Sequence, residues 1–416
     1  MNRLPLCKLS VTLVLLLLCS SVYAQSNTIW TKRVTRTINI QIPRDTLKRH
    51  IKDKSTDTTL IELIIKGLYA GQMKAYQGSD YTLSSVHSLQ DLTDMFEGKS
   101  DTIFIIDPKT GKELKKVTRR DFNPEAITQF RIMEDWEFNP MIGWTVVQMV
   151  AIAPLVDVYN QDGSLRAHKA LFWLKYADVA SIISRYNTIR IRQNLPQYAL
   201  QRLIWNDYFL HEGKPNNPPP DAKVYTQRAT RLLNIQLPED TVTHHLQDAS
   251  TDTTLLEMLM RSMLKGGIST YTGNDVTLTS KLTDQAVQAM VQGPLDTIEV
   301  EDPVTAQRIM KTYRRNINYE SVERYRLIED WAMNSSIGRT EIQIAAMAPM
   351  LENDAQTGRQ QAFSPMFWLK FQDLQGVLNE YQQSRNKMGR PENTIGRLIW
   401  DDYFINETKP KVMQTK

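Results

Sequence analysis

The sequence predicts an α+β protein made of two homologous domains in tandem, each with a small mixed sheet and flanking helices. The first observation is a repeat, because residues 29–213 align with residues 224–408 at a constant offset of 195 without a gap. Solenoid repeats run about 20–50 residues, so this period corresponds to a whole domain. The second observation is that strand-like and helix-like segments alternate irregularly in each copy, which favours α+β over a βαβ architecture.

The repeat also shows which positions both copies have kept. The matching segments are 35–36 with 230–231, 55–60 with 250–255, 107–108 with 302–303, 134–136 with 329–331, 172–175 with 367–370, 203–205 with 398–400 and 207–209 with 402–404.

The N-terminal segment is predicted to be a targeting signal and not part of the fold. Arg3 and Lys8 make a positive start, residues 11–19 are almost entirely apolar, and Val22 and Ala24 are small residues that suit a cleavage site. This pattern is typical of a secretory signal peptide. We therefore expect residues 1–24 to be removed and the mature chain to begin at residue 25.

Both cysteines, Cys7 and Cys19, lie in this segment. The mature chain is therefore predicted to have no disulfide, thiol nucleophile or thiolate metal site. An alternative is a lipoprotein acylated at Cys19, but the bulky Leu18 precedes it where a small residue is preferred. No later stretch reaches the ~20 apolar residues of a transmembrane helix.

The predicted organisation is a first domain at 25–212, a linker at 213–223, a second domain at 224–408 and a basic tail at 409–416. The linker contains consecutive prolines, which favour a semi-rigid polyproline spacer. Residues 29–213 hold 25 Lys and Arg against 21 Asp and Glu, a net charge of +4, whereas residues 224–408 hold 18 against 24, a net charge of −6. Opposite charges favour head-to-tail contact of the domains, within one molecule or between neighbours, although drift of surface charge after duplication is the preferred explanation.

The first half of each copy has clear local signals. A strand is predicted from Trp30, where β-branched and polar residues alternate. Thr59 and Glu62 form a capping-box pattern, so a helix begins there, and Gly71 is placed to end it. A short strand at 75–76, an amphipathic helix at 89–96, a buried strand at 102–106 and a tight turn at 107–111 follow.

The second half of each copy is predicted to be a hairpin followed by helices. Residues 145–153 are strand-like and Pro154 marks their end, whereas 160–163 has the Asp-Gly composition of a turn. Residues 171–176 are apolar on both faces, as in a central strand. Helices near 177–190 and 197–209 complete the domain.

Glu134 and Asp135 are the first candidates for chemistry, with Glu329 and Asp330 in the second copy. Adjacent carboxylates suit acid–base or divalent-metal chemistry. However, neighbouring side chains of a strand point to opposite faces, so we favour structural ion pairs. The upstream Arg131 and its equivalent Arg326 are the expected partners.

The remaining candidates favour structural interpretations as well. Only His50 and His245 match at the repeat offset, and the adjacent His244 and His245 lack the spaced carboxylate or third ligand of a zinc site. The loop at 160–164 lacks the ligands of a calcium loop, so a hairpin turn is the better interpretation. The Phe-Trp-Leu-Lys segments, 172–175 and 367–370, are interpreted as core strands, with an aromatic glycan- or peptide-binding platform as the alternative.

We therefore predict no catalytic, cofactor-binding or metal-binding residue. No nucleophile elbow, P-loop or HExxH motif occurs. Neither copy shows the basic, aromatic-interleaved pattern of a nucleic-acid binder.

Taken in order, the motifs resemble the gliding-motility protein GldN, called PorN in non-gliding relatives, of the type IX secretion system. The resemblance covers nearly all of the first copy and much of the second. It rests on residues 29–34, 71–76, 130–136, 151–159, 171–173 and 205–209, and on 325–331, 348–349, 366–368 and 400–404. The chain departs from the family pattern in having two copies, in carrying Glu352, Asn353 and Asp354 at the second hairpin, and in lacking a long basic extension.

The resemblance implies a non-enzymatic protein of the periplasm, at the inner face of the outer membrane. It implies assembly into rings with an outer-membrane lipoprotein of the GldK/PorK type, and contact with the periplasmic part of a GldM/PorM-type motor component. Self-association is expected as well, and no nucleic-acid partner. The two alternatives are a periplasmic glycan- or peptide-binding module and a metal-assisted hydrolase built on Glu134 and Asp135.

Overall fold

A computed structural model describes residues 29–40, 59–97, 100–106, 113–119, 122–209, 222–234, 254–292, 295–301, 307–314, 322, 324–353, 362–391 and 394–404. The predicted signal peptide, the proline-rich linker, the basic tail and the turn at 107–111 lie outside these ranges. His50, His211 and His245 lie outside them too.

In the part of the first repeat that the structure describes there are eight strands and four α-helices. The strands are β1 (Trp30–Asn39), β2 (Ala75–Gln77), β3 (Ser100–Ile106), β4 (Glu113–Arg119), β5 (Gln129–Asn139), β6 (Trp144–Tyr159), β7 (Leu165–Ala170) and β8 (Phe172–Lys175). The helices are α1 (Leu60–Tyr69), α2 (Leu89–Phe96), α3 (Tyr176–Arg192) and α4 (Leu200–Tyr208).

The second repeat has the same order of elements. Its strands are β9 (Val224–Asn234), β10 (Thr270–Thr272), β11 (Leu295–Glu301), β12 (Arg308–Arg314), β13 (Arg324–Asn334), β14 (Arg339–Asn353), β15 (Ala362–Pro365) and β16 (Phe367–Lys370). Its helices are α5 (Leu255–Leu264), α6 (Asp284–Val291), α7 (Gln375–Lys387) and α8 (Ile395–Asp402), with a 3₁₀ turn at Phe371–Leu374 before α7. The predicted α+β class and the two like repeats are confirmed.

Local sequence explains the helix ends. The Thr59 hydroxyl accepts from the Glu62 amide while the Glu62 carboxylate accepts from the Thr59 amide, which is the predicted capping box. Gly71 follows the helix with a φ of 68°, a conformation that glycine adopts at little cost. The predicted helix at 89–96 is also confirmed, with Ser88 as its N-cap.

The strands of the two repeats form one sheet. The order along it is β1-β5-β6-β14-β13-β9, and all five of these pairings are antiparallel. The short strands β2, β7, β8, β10, β15 and β16 complete twelve strands, while β3–β4 and β11–β12 form separate hairpins. The relative position of the repeats is thus set by direct strand pairing, whereas the sequence predicted a semi-rigid spacer and contact between opposite charges but not a shared sheet.

The predicted strand end at Pro154 is wrong, because β6 continues through it to Tyr159. Pro154 lies where β6 changes partners, since it is opposite Phe130 of β5 and the next residue, Leu155, pairs with Ala170 of β7. The Pro154 carbonyl accepts a hydrogen bond from the Leu171 amide. Proline is tolerated in a strand where no ladder bond from its nitrogen is required.

The main core extends through both repeats on the helical face of the sheet. A smaller cluster lies on the opposite face of each repeat, around Trp173 in the first and Trp368 in the second. Between these clusters the outer face of the sheet carries polar side chains such as Arg33, Asp135 and Glu341, with the apolar Trp144 and Val146 near the axis. No helix among the described residues is long and apolar enough to cross a membrane.

Candidate functional site

The inter-repeat seam, which we define as residues 140–149 and 335–344, joins the two repeats. Within it, five residues of β6 pair with five of β14, from Trp144 opposite Gln343 to Gln148 opposite Arg339. Val146 lies opposite Glu341 at the centre, and these two residues are themselves equivalent at the offset of 195. An element that pairs with its own equivalent must lie on a two-fold axis, so the repeats are related by a pseudo-two-fold axis.

Two tight turns of the seam reach across this axis. The Met149 amide donates to the Gly338 carbonyl at 2.8 Å, and the Ile344 amide donates to the Gly143 carbonyl at 2.8 Å. Both glycines have a φ of 63°. A Cβ atom on Gly338 would stand 2.5 Å from the Tyr176 ring of the first repeat, so only glycine fits this approach.

Two glutamine side chains also donate hydrogen bonds to the backbone of the other repeat. Gln148 Nε2 donates to the Ile337 carbonyl at 3.0 Å, and Gln343 Nε2 donates to the Ile142 carbonyl at 2.9 Å. The hydrogen bonds of the seam are therefore reciprocal, as in an isologous dimer interface.

The C-terminal helix of the first repeat packs on the sheet of the second. Ring centroids of Tyr208 and Trp331 are 5.4 Å apart, those of Phe209 and Trp331 are 5.1 Å apart, and those of Trp205 and Tyr225 are 5.9 Å apart. Such aromatic pairs stabilise by about 0.5–1.5 kcal/mol each beyond the burial of their area.

The C-terminal helix of the second repeat makes the reciprocal contacts. Tyr403 and Phe404 lie 5.4 and 5.3 Å from Trp136, and Trp400 stacks on Phe138 at 5.9 Å with an interplanar angle of 10°. Each repeat therefore lacks part of its aromatic core unless the other is present.

A buried charged cluster lies between the C-terminal helix and the long strands of each repeat. In the first repeat Arg36 donates from Nη2 to Glu134 Oε1 at 2.7 Å and from Nε to Oε2 at 2.9 Å, and its Nη1 contacts Asp207. The Tyr208 hydroxyl donates to Glu134 Oε1 at 2.8 Å, and Trp136 Nε1 donates to Oε2 at 3.2 Å. Glu134 thus receives four hydrogen bonds.

The second repeat builds the same cluster. Arg231 pairs with Glu329 and with Asp402, the latter at 2.7 Å, and Tyr403 donates to Glu329 Oε1 at 3.1 Å. The Tyr403 hydroxyl also lies 3.5 Å from the Thr145 hydroxyl of the first repeat. The clusters therefore contact the seam as well as their own repeat.

The electrostatics of the cluster keep its charges in place. Burial would raise the pKa of Glu134, but the Arg36 charge and the four donated hydrogen bonds outweigh burial and lower that pKa. Burial and the adjacent Glu134 raise the pKa of Tyr208, so its hydroxyl remains a donor. A carboxylate whose acceptor sites are occupied is poorly suited to proton transfer or metal binding.

The structure separates the two candidate carboxylates, as expected for neighbours in a strand. Asp135 points to the outer face, where Arg33 binds it in a bidentate ion pair at 2.6 and 2.7 Å. The prediction that Arg131 is the ion-pair partner is wrong. Glu134 is bound by Arg36, and Arg131 donates instead to the His168 carbonyl at 3.3 Å. Arg36 reaches Glu134 because β1 pairs with β5, and a pairing between such distant segments cannot be predicted from neighbouring residues.

The Phe-Trp-Leu strands are core, as predicted. Trp173 and Trp368 are completely buried, and their indole Nε1 atoms donate to the Gly78 and Gly273 carbonyls at 3.1 and 2.9 Å. They offer no exposed aromatic platform to a glycan or peptide.

The other candidates are local structural features. Asp162 accepts hydrogen bonds from the Ser164 amide and hydroxyl, which is the arrangement of the predicted hairpin turn. His168 contacts Asp157 at 2.7 Å across that hairpin, in the first repeat only. Within the described ranges, no three His, Cys, Asp or Glu side chains are grouped so as to hold a metal ion.

An open groove of about 630 Å³ lies on the outer face of the sheet near the axis. It is lined by Trp144, Thr226, Gln227, Arg228, Asp330, Trp331, Ala332, Glu341 and Gln343. Its Arg228 is engaged by Asp330 at 2.7 Å, and its Glu341 by Arg339 at 2.9 Å. The charged groups of this groove already pair with one another or with a neighbour.

Sequence reasoning missed the residues that build the seam. Gly143, Gly338, Gln148 and Gln343 are all kept at the offset of 195, so the repeat contained a signal for them. Their role was not visible because their partners belong to the other repeat.

Comparison with protein families gives two matches. The family described as "Gliding motility associated protein GldN" matches residues 23–212 and again residues 219–408. A search of curated proteins finds no match.

Proposed function

Because the chain belongs to the GldN family of gliding motility associated proteins, as two tandem copies, we propose that it is a non-enzymatic structural component of a periplasmic ring assembly. This assembly would serve type IX protein secretion and gliding motility. The observation that carries the proposal is the pseudo-symmetric seam, since strands and aromatic residues present in both copies are used to hold the repeats together.

The proposal includes export and two partners. We propose that residues 1–24 direct the chain to the periplasm, where it lies at the inner face of the outer membrane. The partners would be an outer-membrane lipoprotein of the GldK/PorK type and the periplasmic part of a GldM/PorM-type motor component.

The geometry favours this scaffold over the two rivals. A glycan- or peptide-binding module loses its proposed platform, because Trp173 and Trp368 are buried. A hydrolase built on adjacent carboxylates loses its site, because Glu134 and Asp135 lie on opposite faces of the sheet and each is paired with an arginine.

The test is recovery of the assembly from cells that produce the tagged chain. After cross-linking, we expect the protein in the envelope fraction, in a large complex that contains a lipoprotein. A chain lacking residues 1–24 is the matched control and is expected inside the cell without the complex. Recovery of a monomer that retains cell-wall fragments would overturn the proposal in favour of a binding module.

A further inference from the structure

We propose that copies of this chain associate head to tail through the outer edges of β1 and β9, with β1 of one molecule adding to β9 of the next. The proposal rests on the scaffold function proposed above, and it identifies the surface through which copies of the chain would associate.

The first argument is the position of these strands. β1 and β9 lie at the two ends of the six long strands, and among the described strands each has a partner on one side only. They are 10 and 11 residues long and contain no proline. Long unpaired edges are templates for another strand unless charges, prolines or bulges block them, and the arginines of both edges are held by acidic side chains of β5 and β13.

The second argument is the direction of the backbone groups. The Ile40 amide donates to the Thr128 carbonyl, and inward and outward groups alternate along an antiparallel strand. Thr31, Arg33, Thr35 and Thr37 therefore direct their N–H and C=O groups away from β5. The equivalent residues of β9 direct theirs away from β13, because the Ser335 amide donates to the Lys223 carbonyl in the same register.

The third argument is strand direction. The six long strands are all antiparallel to their neighbours, and an even number of them makes β1 and β9 run in opposite directions. A second molecule in the same orientation therefore presents its β1 antiparallel to β9 of the first. The junction would have the same antiparallel hydrogen bonding that already joins the repeats at the seam.

The fourth argument is charge, which selects the pairing of unlike edges. The repeat that carries β1 has a net charge of +4 and the repeat that carries β9 has a net charge of −6. Pairing β1 with β9 brings repeats of opposite net charge together, whereas pairing either edge with itself brings repeats of like net charge together. The two edge strands are themselves basic, but their arginines, Arg33, Arg36, Arg228 and Arg231, are already paired with acidic residues of the same repeat. A head-to-tail contact repeats, so its product is a closed ring or an open filament.

The test uses proline at one outward-facing position of each edge, Thr35→Pro and Thr230→Pro. Proline removes the outward N–H and blocks strand addition, but leaves the inward bonds to β5 or β13 intact. Thr35→Val and Thr230→Val are the matched controls, because they keep the N–H. The chain without its predicted signal peptide is measured by sedimentation over a range of concentrations.

We expect the unchanged chain and both valine controls to form higher species as the concentration rises. Each proline variant alone should remain a monomer, because its one open edge lacks the unlike edge it needs. A mixture of the two variants should form a dimer and nothing larger, which also shows that both variants are folded.

Three outcomes of the sedimentation experiment overturn the edge interface. These are a monomeric unchanged chain at every concentration, a proline variant that dimerises alone, and proline variants that assemble like the unchanged chain. If the double proline variant still recovers the lipoprotein complex from cells, the edge interface fails and the scaffold function stands. If the unchanged chain recovers no complex, the scaffold function fails.

Discussion

Val146 and Glu341 are equivalent residues of the two repeats, and they lie directly opposite each other where β6 pairs with β14. This relationship makes a single chain resemble a symmetric dimer. The proline-rich linker makes the association of the two halves intramolecular, which raises their effective concentration without adding a contact.

The seam glycines are expected to tolerate no side chain. Gly338→Ala combines a φ of 63° with a Cβ contact of 2.5 Å to the Tyr176 ring, so it should lower the free energy of unfolding by about 3 kcal/mol. Denaturant unfolding followed by tryptophan fluorescence measures this change.

Substitutions at two other glycines separate the cost of a positive φ from the cost of the steric contact. Gly163 has a φ of 80° but no neighbour within 4 Å of a Cβ atom, so Gly163→Ala should cost only about 1 kcal/mol. Gly376 lies in α7 with open space around it, so Gly376→Ala should stabilise by about 0.5–1 kcal/mol. Equal effects of Gly338→Ala and Gly163→Ala would show that the contact with Tyr176 does not matter.

Glu134→Gln is expected to destabilise the protein strongly. It leaves Arg36 buried with only Asp207 as a charged partner, and breaking a buried ion pair costs about 3 kcal/mol. Asp135→Asn at the exposed pair with Arg33 is the matched control, with an expected loss under about 1 kcal/mol. A similar loss for both variants, measured by denaturant unfolding, would contradict the role of burial.

The same cluster predicts acid sensitivity. The pKa of Glu134 is lower in the folded chain than its ordinary value of 4.5, so the unfolded chain takes up a proton first as the pH falls. The stabilisation by Glu134 is therefore complete above about pH 4.5 and is lost as the pH falls through the lower, folded pKa. The free energies of unfolding of the unchanged chain and of Glu134→Gln should converge in acid, and a gap that is constant from pH 7 to pH 3 would refute this.

The linker is expected to be dispensable for holding the repeats together once they have folded. A protease site placed within residues 213–221 and then cleaved should give two fragments that remain associated in size-exclusion chromatography. The seam and the aromatic contacts between the repeats would hold them. Cleaved Trp400→Ala should separate more readily, because Trp400 loses its contacts with Trp30 and Phe138. Separation of the unmodified fragments at micromolar concentration would count against the seam.

Features set by nearby residues were predictable from the sequence. The capping box of Thr59 and Glu62, the helix at 89–96 and the hairpin turn at Gly163 each depend on residues within a few positions of one another. The prediction that the strand ends at Pro154 was wrong. Whether a proline can continue a strand depends on which strands flank it, and those strands come from distant parts of the chain.

The sequence by itself determined that the chain has two like α+β repeats, that Glu134 and Asp135 have structural ion pairs and that the Trp-Leu strands are core. Only the tertiary structure decided that Arg36 and not Arg131 binds Glu134, that the repeats share one sheet, and that the C-terminal helix of each repeat also packs on the strands of the other. The physical reason is that these contacts join residues about 100 or more positions apart. A repeat shows which residues both copies keep, but not that each copy keeps them for contact with the other.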